Sequence, residues 1–163
     1  MKKASICIGD TGAIISLAKV NKLDLLSSYF DNIYIPKAVW DELVDDDSFS
    51  EVSMIKEFFQ NKHRNIRSVN DLKLIMDKGE SEAILLYQEL EADVLLIDDR
   101  KAREIAQSLD INCIGSLALL KQAKENGEIE NLHDIFLKLL ENKRYFSKQL
   151  LNSILRDCKE TTI

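Results

Sequence analysis

The chain has 163 residues, a length that suits one folded domain with one hydrophobic core. Hydrophobic residues make up 45% and charged residues 31%, a balance that argues against disorder. The formal net charge of −6 argues against a protein that attracts nucleic acid through its overall field. Two interpretations of this charge remain open. Either the protein has no nucleic-acid partner, or its acids are concentrated in a site and offset by a metal ion.

The cysteines and the N-terminus indicate a cytoplasmic protein. The three cysteines have no paired spacing and give no disulfide framework. Neither histidine has a Cys or His at ligand spacing, so we do not expect a structural zinc site. The N-terminal apolar stretch ends at Gly9, too early for a signal peptide, and no run approaches the ~20 residues that a membrane span needs. We therefore predict a cytoplasmic protein that does not associate with a membrane.

Short apolar runs alternate with amphipathic segments along the chain. The runs that have the pattern of buried strands are 6–8, 33–35, 94–97 and 111–114. Helical spacing predicts helices at 11–30 (with a break near 19–21), 36–44, 50–60, 80–90, 100–109, 116–124, 131–141 and 147–157. Asn21 is a plausible cap after the break, Pro36 suits a first helical turn, and Ile66 and Val69 mark a brief further strand in a polar segment.

This alternation predicts crossover connections and therefore a parallel sheet covered by helices on both faces. The expected fold is a single α/β domain over residues 1–163, with a small, mostly parallel sheet of about four strands. Residues 1–126 form the α/β core, and the helices of 127–163 pack on it. In those helices we expect eight apolar side chains to be buried, and part of this surface to serve a dimer or another protein: Leu132, Ile135, Phe136, Leu139, Leu150, Leu151, Ile154 and Leu155.

Two of the predicted strands end in acidic residues. Asp10 follows the first strand, and Asp98 and Asp99 follow the strand at 94–97. Functional groups in open parallel sheets gather just beyond the carboxyl ends of the strands, which makes these acids candidate site residues. The structural alternative is that Asp10, and one of the two later aspartates, simply caps the following helix.

Two predicted helices add further acids. Glu42 flanks the buried stripe of its helix, and Glu80 opens the helix that follows Gly79. Glu82 lies about 200° around the helix from Glu80, so only one of the two can easily face a site. As alternatives, Glu42 is a solvated surface residue and Glu80 merely favours the positive end of its helix dipole.

Clustered carboxylates require a cation. At ~4 Å and an effective dielectric constant of ~20, each like-charge pair costs about 4 kcal/mol. A divalent cation reverses that sign, and hard oxygen ligands favour Mg²⁺ or Mn²⁺. Phosphodiester hydrolysis is a reaction that such a site serves.

The same residues lie in segments that resemble the PIN-domain family, in particular a prokaryotic branch regarded as nucleic-acid-binding. Five segments carry the resemblance in order: DTGAIISLA (10–18), IPKAVWDEL (35–43), GESEAI (79–84), LLIDDRKAR (95–103) and IGSL (114–117). The match runs from Ile6 to about Lys159, which is essentially the whole chain. Many PIN nucleases have Asp where this chain has Glu80, and the branch often has Pro in place of Ala13.

The resemblance implies a three-layer α/β/α domain with a carboxylate metal site. Carried over by position, the catalytic residues and ligands of Mg²⁺ or Mn²⁺ are Asp10, Glu42, Glu80 and Asp98. The second choices are Thr11, Glu82 and Asp99, with Thr11 orienting Asp10 or a metal-bound water. The implied activity is metal-dependent, endonucleolytic cleavage of RNA. PIN nucleases are often the toxin of a toxin–antitoxin pair, so a small antitoxin partner and a homodimer are also implied.

Basic residues are the candidates for contact with the RNA backbone, because an acidic protein needs local positive charge to hold a polyanion. They lie in the segment 62–67 and near the acids at 98–99: Arg64, Arg67, Arg100 and Lys101, with Arg103 as a further candidate. The alternatives are that these residues are solvated, or that Arg103 pairs with a nearby acid.

Two other functions compete with the nuclease. One is a nucleic-acid- or protein-binding module that has the same fold and weak or no catalysis. The other is a phosphatase-like or nucleotide-binding domain, but the segment 9–12 has only two glycines, and no partnered histidine or companion aspartate supports a nucleophile.

Overall fold

The computed structural model describes residues 4–46, 48 and 50–163 and shows a parallel β-sheet. Within these residues the sheet has five strands in the order β3-β2-β1-β4-β5, and every neighbouring pair is parallel. The strands are β1 (Ala4–Gly9), β2 (Phe30–Pro36), β3 (His63–Arg64), β4 (Val94–Leu96) and β5 (Cys113–Ile114).

Helices connect the strands and flank the sheet. They are α1 (Thr11–Lys19), α2 (Asp24–Tyr29), α3 (Lys37–Asp45), α4 (Val52–Phe59), α5 (Lys78–Glu89), α6 (Arg100–Ser108), α7 (Ser116–Glu125), α8 (Leu132–Glu141) and α9 (Lys148–Asp157), with a 3₁₀ turn at Leu72–Leu74. In the described part of the chain, no helix combines the length and apolar character that spanning a bilayer requires. The predicted α/β class and helix-covered parallel sheet are confirmed.

The core consists of one apolar layer on each face of the sheet. Successive side chains of a strand point to opposite faces, and β1 shows this directly. Cys7 and Ile8 are both fully buried but belong to different apolar clusters. The cluster around Cys7 extends to Phe136 of α8 and Leu151 of α9, so the last two helices pack on the same core. This two-sided burial explains why the central strands read as continuous apolar runs.

The sheet has one strand more than the four expected, and that strand is not where the sequence suggested it. His63–Arg64 pairs with Ile35 and Pro36 at the edge of the sheet. Two residues are too few to show a periodic pattern, so the sequence gives no signal for β3. The brief strand suggested around Ile66 and Val69 is wrong, since Val69 is 82% exposed in a segment without strand structure.

Three local expectations are also corrected. Asn21 does not cap α2; it lies in a left-handed turn (φ 55°), and Leu23 is the N-cap. Pro36 ends β2 and is the N-cap of α3 rather than a residue in its first turn. Leu150 is 48% exposed and not buried. Ile135 is only partly buried, and the other six side chains named for α8 and α9 are buried.

Candidate active site

The two strand-end aspartates lie where neighbouring central strands finish. Asp10 follows β1 and is only 5% exposed, and its backbone N–H donates to the carbonyl oxygen of Leu96 in β4 (2.9 Å). Asp98 lies two residues beyond β4. Its Oδ1 accepts from the backbone N–H of Ser116 and its Oδ2 from the Ser116 hydroxyl, both at 2.7 Å. The first turn of α7 therefore fixes the Asp98 carboxylate.

The Glu42 carboxylate is held between two neighbouring helices. Its Oε2 accepts from the hydroxyl of Thr11 at the start of α1 (2.6 Å). A Cβ atom at Gly79 in α5 would lie only 2.5 Å from Glu42 Oε1, so a side chain there would collide with the carboxylate. Gly79 thus lets α5 approach Glu42 closely. Thr11 was expected to orient Asp10 or a metal-bound water. Its hydroxyl donates to Glu42, and its orientation of a metal-bound water stays a prediction.

The start of α5 supplies two more carboxylates, one of which the sequence analysis missed. Asp77 is the N-cap of α5, and its Oδ1 accepts from the backbone N–H of Glu80 (2.8 Å). The signal was available, because an N-cap residue followed three positions later by Glu is typical of a helix start. With this cap the helix starts at Lys78, two residues before the predicted start at Glu80.

The second-choice acids have different positions. Asp99 is the N-cap of α6, and its Oδ1 accepts from the backbone N–H of Ala102 (2.8 Å), so the later of the two aspartates caps the helix. Glu82 is 7% exposed and accepts from the backbone N–H of Ala38 at the start of α3 (3.2 Å). Of Glu80 and Glu82, Glu80 is the one that faces the site.

All four first-choice carboxylates line one cleft, which we name the acidic cleft. It has a volume of about 480 Å³. Its lining side chains and backbone come from Asp10, Thr11, Gly12, Glu42, Asp77, Glu80, Asp98, Asp99, Arg100, Arg144, Tyr145 and Phe146. Their catalytic and metal-binding roles remain predictions.

The loop between α8 and α9 forms a wall of the acidic cleft that the sequence analysis did not anticipate. Arg144 Nε donates to the Ser16 hydroxyl (3.0 Å), and its Nη2 donates to the Gly12 carbonyl oxygen (2.9 Å). These bonds join the loop to α1. They place Tyr145, which is 83% exposed, and Phe146 at the cleft.

Burial and mutual repulsion favour protonation of two carboxylates in the cleft. Burial raises the pKa of Asp10 to about 7; the Thr11 backbone N–H opposes this, while Glu80, Asp77 and Glu42 add repulsion. Burial also raises the pKa of Glu80 to about 7, with repulsion from Asp77 and Asp99. The cleft therefore favours a proton or a cation over several free negative charges.

The predicted RNA-binding residues are spread over different surfaces. Arg100 lines the acidic cleft, where its side chain is 93% exposed and pairs with Glu104 (3.0 Å). Lys101 is exposed on the next position of α6. Arg103 has no acidic partner among the residues that the structure describes. Its Nη2 donates to the carbonyl oxygen of Ile97 (2.9 Å) and so holds the loop after β4.

The other two arginines do not line the acidic cleft. Arg64 stacks over the ring of Tyr34, 4.6 Å from its centroid, on edge strand β3. The backbone N–H of Arg67 donates to Glu89 (2.7 Å), at the end of α5 opposite to Glu80. Contact of Arg64 or Arg67 with RNA stays a prediction, and it would require RNA to extend well beyond the cleft.

Comparison with known proteins agrees with this geometry. A family model described as a PIN domain matches residues 6–160. The chain belongs to the PIN-domain family. Among solved structures it is similar to a PilT N-terminus domain protein from the hyperthermophilic archaeon Sulfolobus solfataricus P2, with a TM-score of 0.50 and 18% sequence identity. The similarity covers 72% of this chain and 92% of that one, and at this identity it supports the fold alone. No curated protein matches the sequence.

The donor set of this PIN domain fits a partly hydrated divalent cation. Among the described residues, no three Asp, Glu, His or Cys side chains are grouped so that they could hold a metal ion by themselves. Mg²⁺ does not need such a group, because it usually keeps several waters and binds one or two carboxylates together with substrate phosphate. The raised pKa values of Asp10 and Glu80 indicate uncompensated negative charge, which a cation would relieve.

Proposed function

We propose that this PIN domain is a Mg²⁺- or Mn²⁺-dependent ribonuclease that cleaves single-stranded RNA internally. Asp10, Glu42, Glu80 and Asp98 act as its catalytic and metal-binding residues. The observation that carries the proposal is the buried Asp10 carboxylate, which shares one cleft with the other three acids. A buried carboxylate with several other acids beside it is unfavourable without a cation, and carboxylate oxygens are ligands that Mg²⁺ and Mn²⁺ prefer.

Hydrogen bonds within the chain fix the orientation of two of these carboxylates, Glu42 and Asp98. A bound divalent cation would lower the pKa of a water molecule and offset charge that develops on the phosphate oxygens. The Thr11 hydroxyl orients Glu42, and Ser116 holds both oxygens of Asp98. Fixed carboxylates need little reorganisation when a cation arrives, which favours binding and catalysis.

The positive charge at the cleft supports a polyanionic substrate. Arg100 and Arg144 both line the cleft, so two guanidinium groups lie near the acids in a protein of net charge −6. Arginine suits phosphate recognition through its planar fork of donors. We assign Arg100 and Lys101 to the RNA backbone near the cleft, and Arg64 and Arg67 to RNA that extends beyond it.

One observation favours a second candidate function. The absence of a three-ligand group among the described residues would suit a nucleic-acid- or protein-binding module of the same fold with weak or no catalysis. This candidate and the nuclease both bind RNA or a protein partner, but only the nuclease cleaves RNA with a dependence on metal.

We further propose a cytoplasmic toxin with a small antitoxin as its partner, acting as a homodimer. Three exposed apolar side chains within one short segment support a protein interface, because a group of such side chains on the surface is a candidate for burial by a partner. Val69 and Leu74 are 82% and 81% exposed, and Ile75 is 55% exposed.

The nuclease is tested by incubating single-stranded RNA with the protein in Mg²⁺, in Mn²⁺ and in excess EDTA. We expect cleavage with either cation, loss of cleavage in EDTA, and recovery when the cation is returned in excess. Cleavage that persists in EDTA would contradict the proposal. RNA binding without cleavage under every condition would instead support the binding module.

A further inference from the structure

A second groove adjoins the acidic cleft and shares part of its lining. This groove, which we name the apolar groove, has a volume of about 440 Å³. Leu117 and Ala118 of α7, with Phe146, Leu150 and Ile154 from the end of the chain, give it a mainly apolar lining. The acidic cleft and the apolar groove share Asp98, Arg100 and Phe146.

The apolar groove has the chemistry of a site for a flat, polar-edged ring. Phe146 supplies an aromatic ring to the lining, and Leu150 is 48% exposed there. Arg103 and Lys121 add polar groups to the lining. Small-molecule sites are commonly about 300–1,000 Å³ and combine an apolar lining with a few polar groups, as this groove does.

We propose that the apolar groove is a nucleobase-binding subsite, which receives the base of a nucleotide next to the phosphate in the acidic cleft. The proposal rests on the proposed nuclease function. The shared lining carries it, because a nucleotide with its phosphate in the acidic cleft has its base attached only a sugar away, beside Phe146. Tyr145, exposed at the cleft, offers a second ring for the neighbouring base.

This subsite explains a preference for single strands. Bases in a duplex are paired and stacked, so their faces cannot lie against Phe146, whereas unpaired bases can be splayed out onto aromatic side chains. The α8–α9 loop, anchored by Arg144 to α1, would hold the two rings in place. The C-terminal helices would thus bind substrate in addition to completing the core.

The test uses single-stranded RNA oligonucleotides that carry one 2-aminopurine at successive positions. They are mixed rapidly with the full chain in Mg²⁺, and fluorescence is recorded before cleavage proceeds. We expect one position to be quenched strongly by the wild-type protein, because stacking on an aromatic ring quenches this base. Ala118→Leu fills the groove from an exposed position of α7. It should remove the quenching and weaken RNA binding by about ten-fold.

Two controls separate the outcomes. Gln107→Leu adds the same side chain at an exposed position of α6 outside both sites and should leave binding and quenching as in the wild type. RNA with an abasic nucleotide at the quenched position should bind the wild type about ten-fold more weakly than intact RNA does. Ala118→Leu should bind the abasic RNA and the intact RNA equally well.

The result also distinguishes this proposal from the nuclease. Equal quenching and affinity in the wild type and Ala118→Leu would overturn the subsite even if RNA is cleaved. Position-specific quenching that Ala118→Leu removes, in a protein that never cleaves RNA, would overturn the nuclease and keep the subsite. RNA that neither binds nor is cleaved would overturn both.

Discussion

Asp10→Asn should abolish RNA cleavage while the protein remains folded. The amide removes a negative charge from a proposed metal-binding position, and losing several kcal/mol of transition-state stabilisation corresponds to at least about a 1,000-fold lower kcat/KM. Single-turnover cleavage at saturating Mg²⁺ measures this loss, and circular dichroism checks the fold. The Asp98→Asn variant should behave similarly, although it also disturbs the hydrogen bonds to Ser116.

The stability of metal-free Asp10→Asn should move in the opposite direction from its activity. The pKa of Asp10 rises from its ordinary value of 3.8 to about 7 in the folded protein. Between these pH values the folded state therefore binds more protons than the unfolded state does. Asp10 therefore destabilises the folded wild type increasingly as pH rises from about 4 to 7, and by a constant amount above that. Asp10→Asn removes this charge and should raise the free energy of unfolding by up to about 4 kcal/mol at neutral pH. It should also make the free energy of unfolding depend less on pH between about 4 and 7.

The helix-cap explanation of Asp10 gives a different result. Asn caps a helix about as well as Asp, so activity and stability would both stay unchanged. Denaturant unfolding at pH 5 and pH 8, without metal, distinguishes the two. A wild-type protein that is more stable at pH 8 than at pH 5 would contradict the electrostatic description of the cleft.

Gly79→Ala should lower cleavage by about 10- to 100-fold without removing any carboxylate. The new Cβ would lie 2.5 Å from Glu42 Oε1, so either Glu42 or the start of α5 must move. A displacement of about 1 Å in a catalytic site can reduce the rate by about 100-fold. In a helix with free space around the glycine, Gly→Ala would stabilise the protein by roughly 0.5–1 kcal/mol. Lower activity in Gly79→Ala would therefore report the collision with Glu42 and not a weaker helix.

A double-mutant cycle tests whether Gly79 acts through Glu42. If it does, Gly79→Ala combined with Glu42→Ala should cleave RNA no more slowly than Glu42→Ala alone. Independent, additive losses would show that Gly79 affects α5 in some other way. Lys78→Ala, an exposed neighbour at the start of the same helix, serves as the control for general disturbance of α5.

The sequence predicted the strand-end part of the site because that part follows from topology. A parallel sheet gathers the residues after its strands at one edge, so Asp10 and Asp98 could be paired without coordinates. Helical spacing also selected Glu42. It showed that Glu80 and Glu82 lie about 200° apart around the helix, so that only one of them can easily face the site. The structure resolves that choice, since Glu82 instead accepts from Ala38.

The missed features depend on contacts between distant parts of the chain. Arg144 reaches Gly12 across 132 positions, and no local pattern indicates such a bond. Tyr145 and Phe146 lie at the cleft for the same reason. Strand β3 was missed because a two-residue edge strand has no period, and its residues are fixed by pairing with β2.

Calorimetric titration of Mg²⁺ into the metal-free protein at pH 7 tests the central claim most directly. Asp10 and Glu80 have pKa values of about 7, so they are partly protonated, and a cation that binds their oxygens must displace protons. We expect saturable binding that releases on the order of one proton per ion. Two buffers of different ionisation enthalpy measure that release, and Asp10→Asn should reduce both binding and release. Mg²⁺ that does not bind, or that binds without proton release and equally well to Asp10→Asn, would contradict a metal site in the acidic cleft.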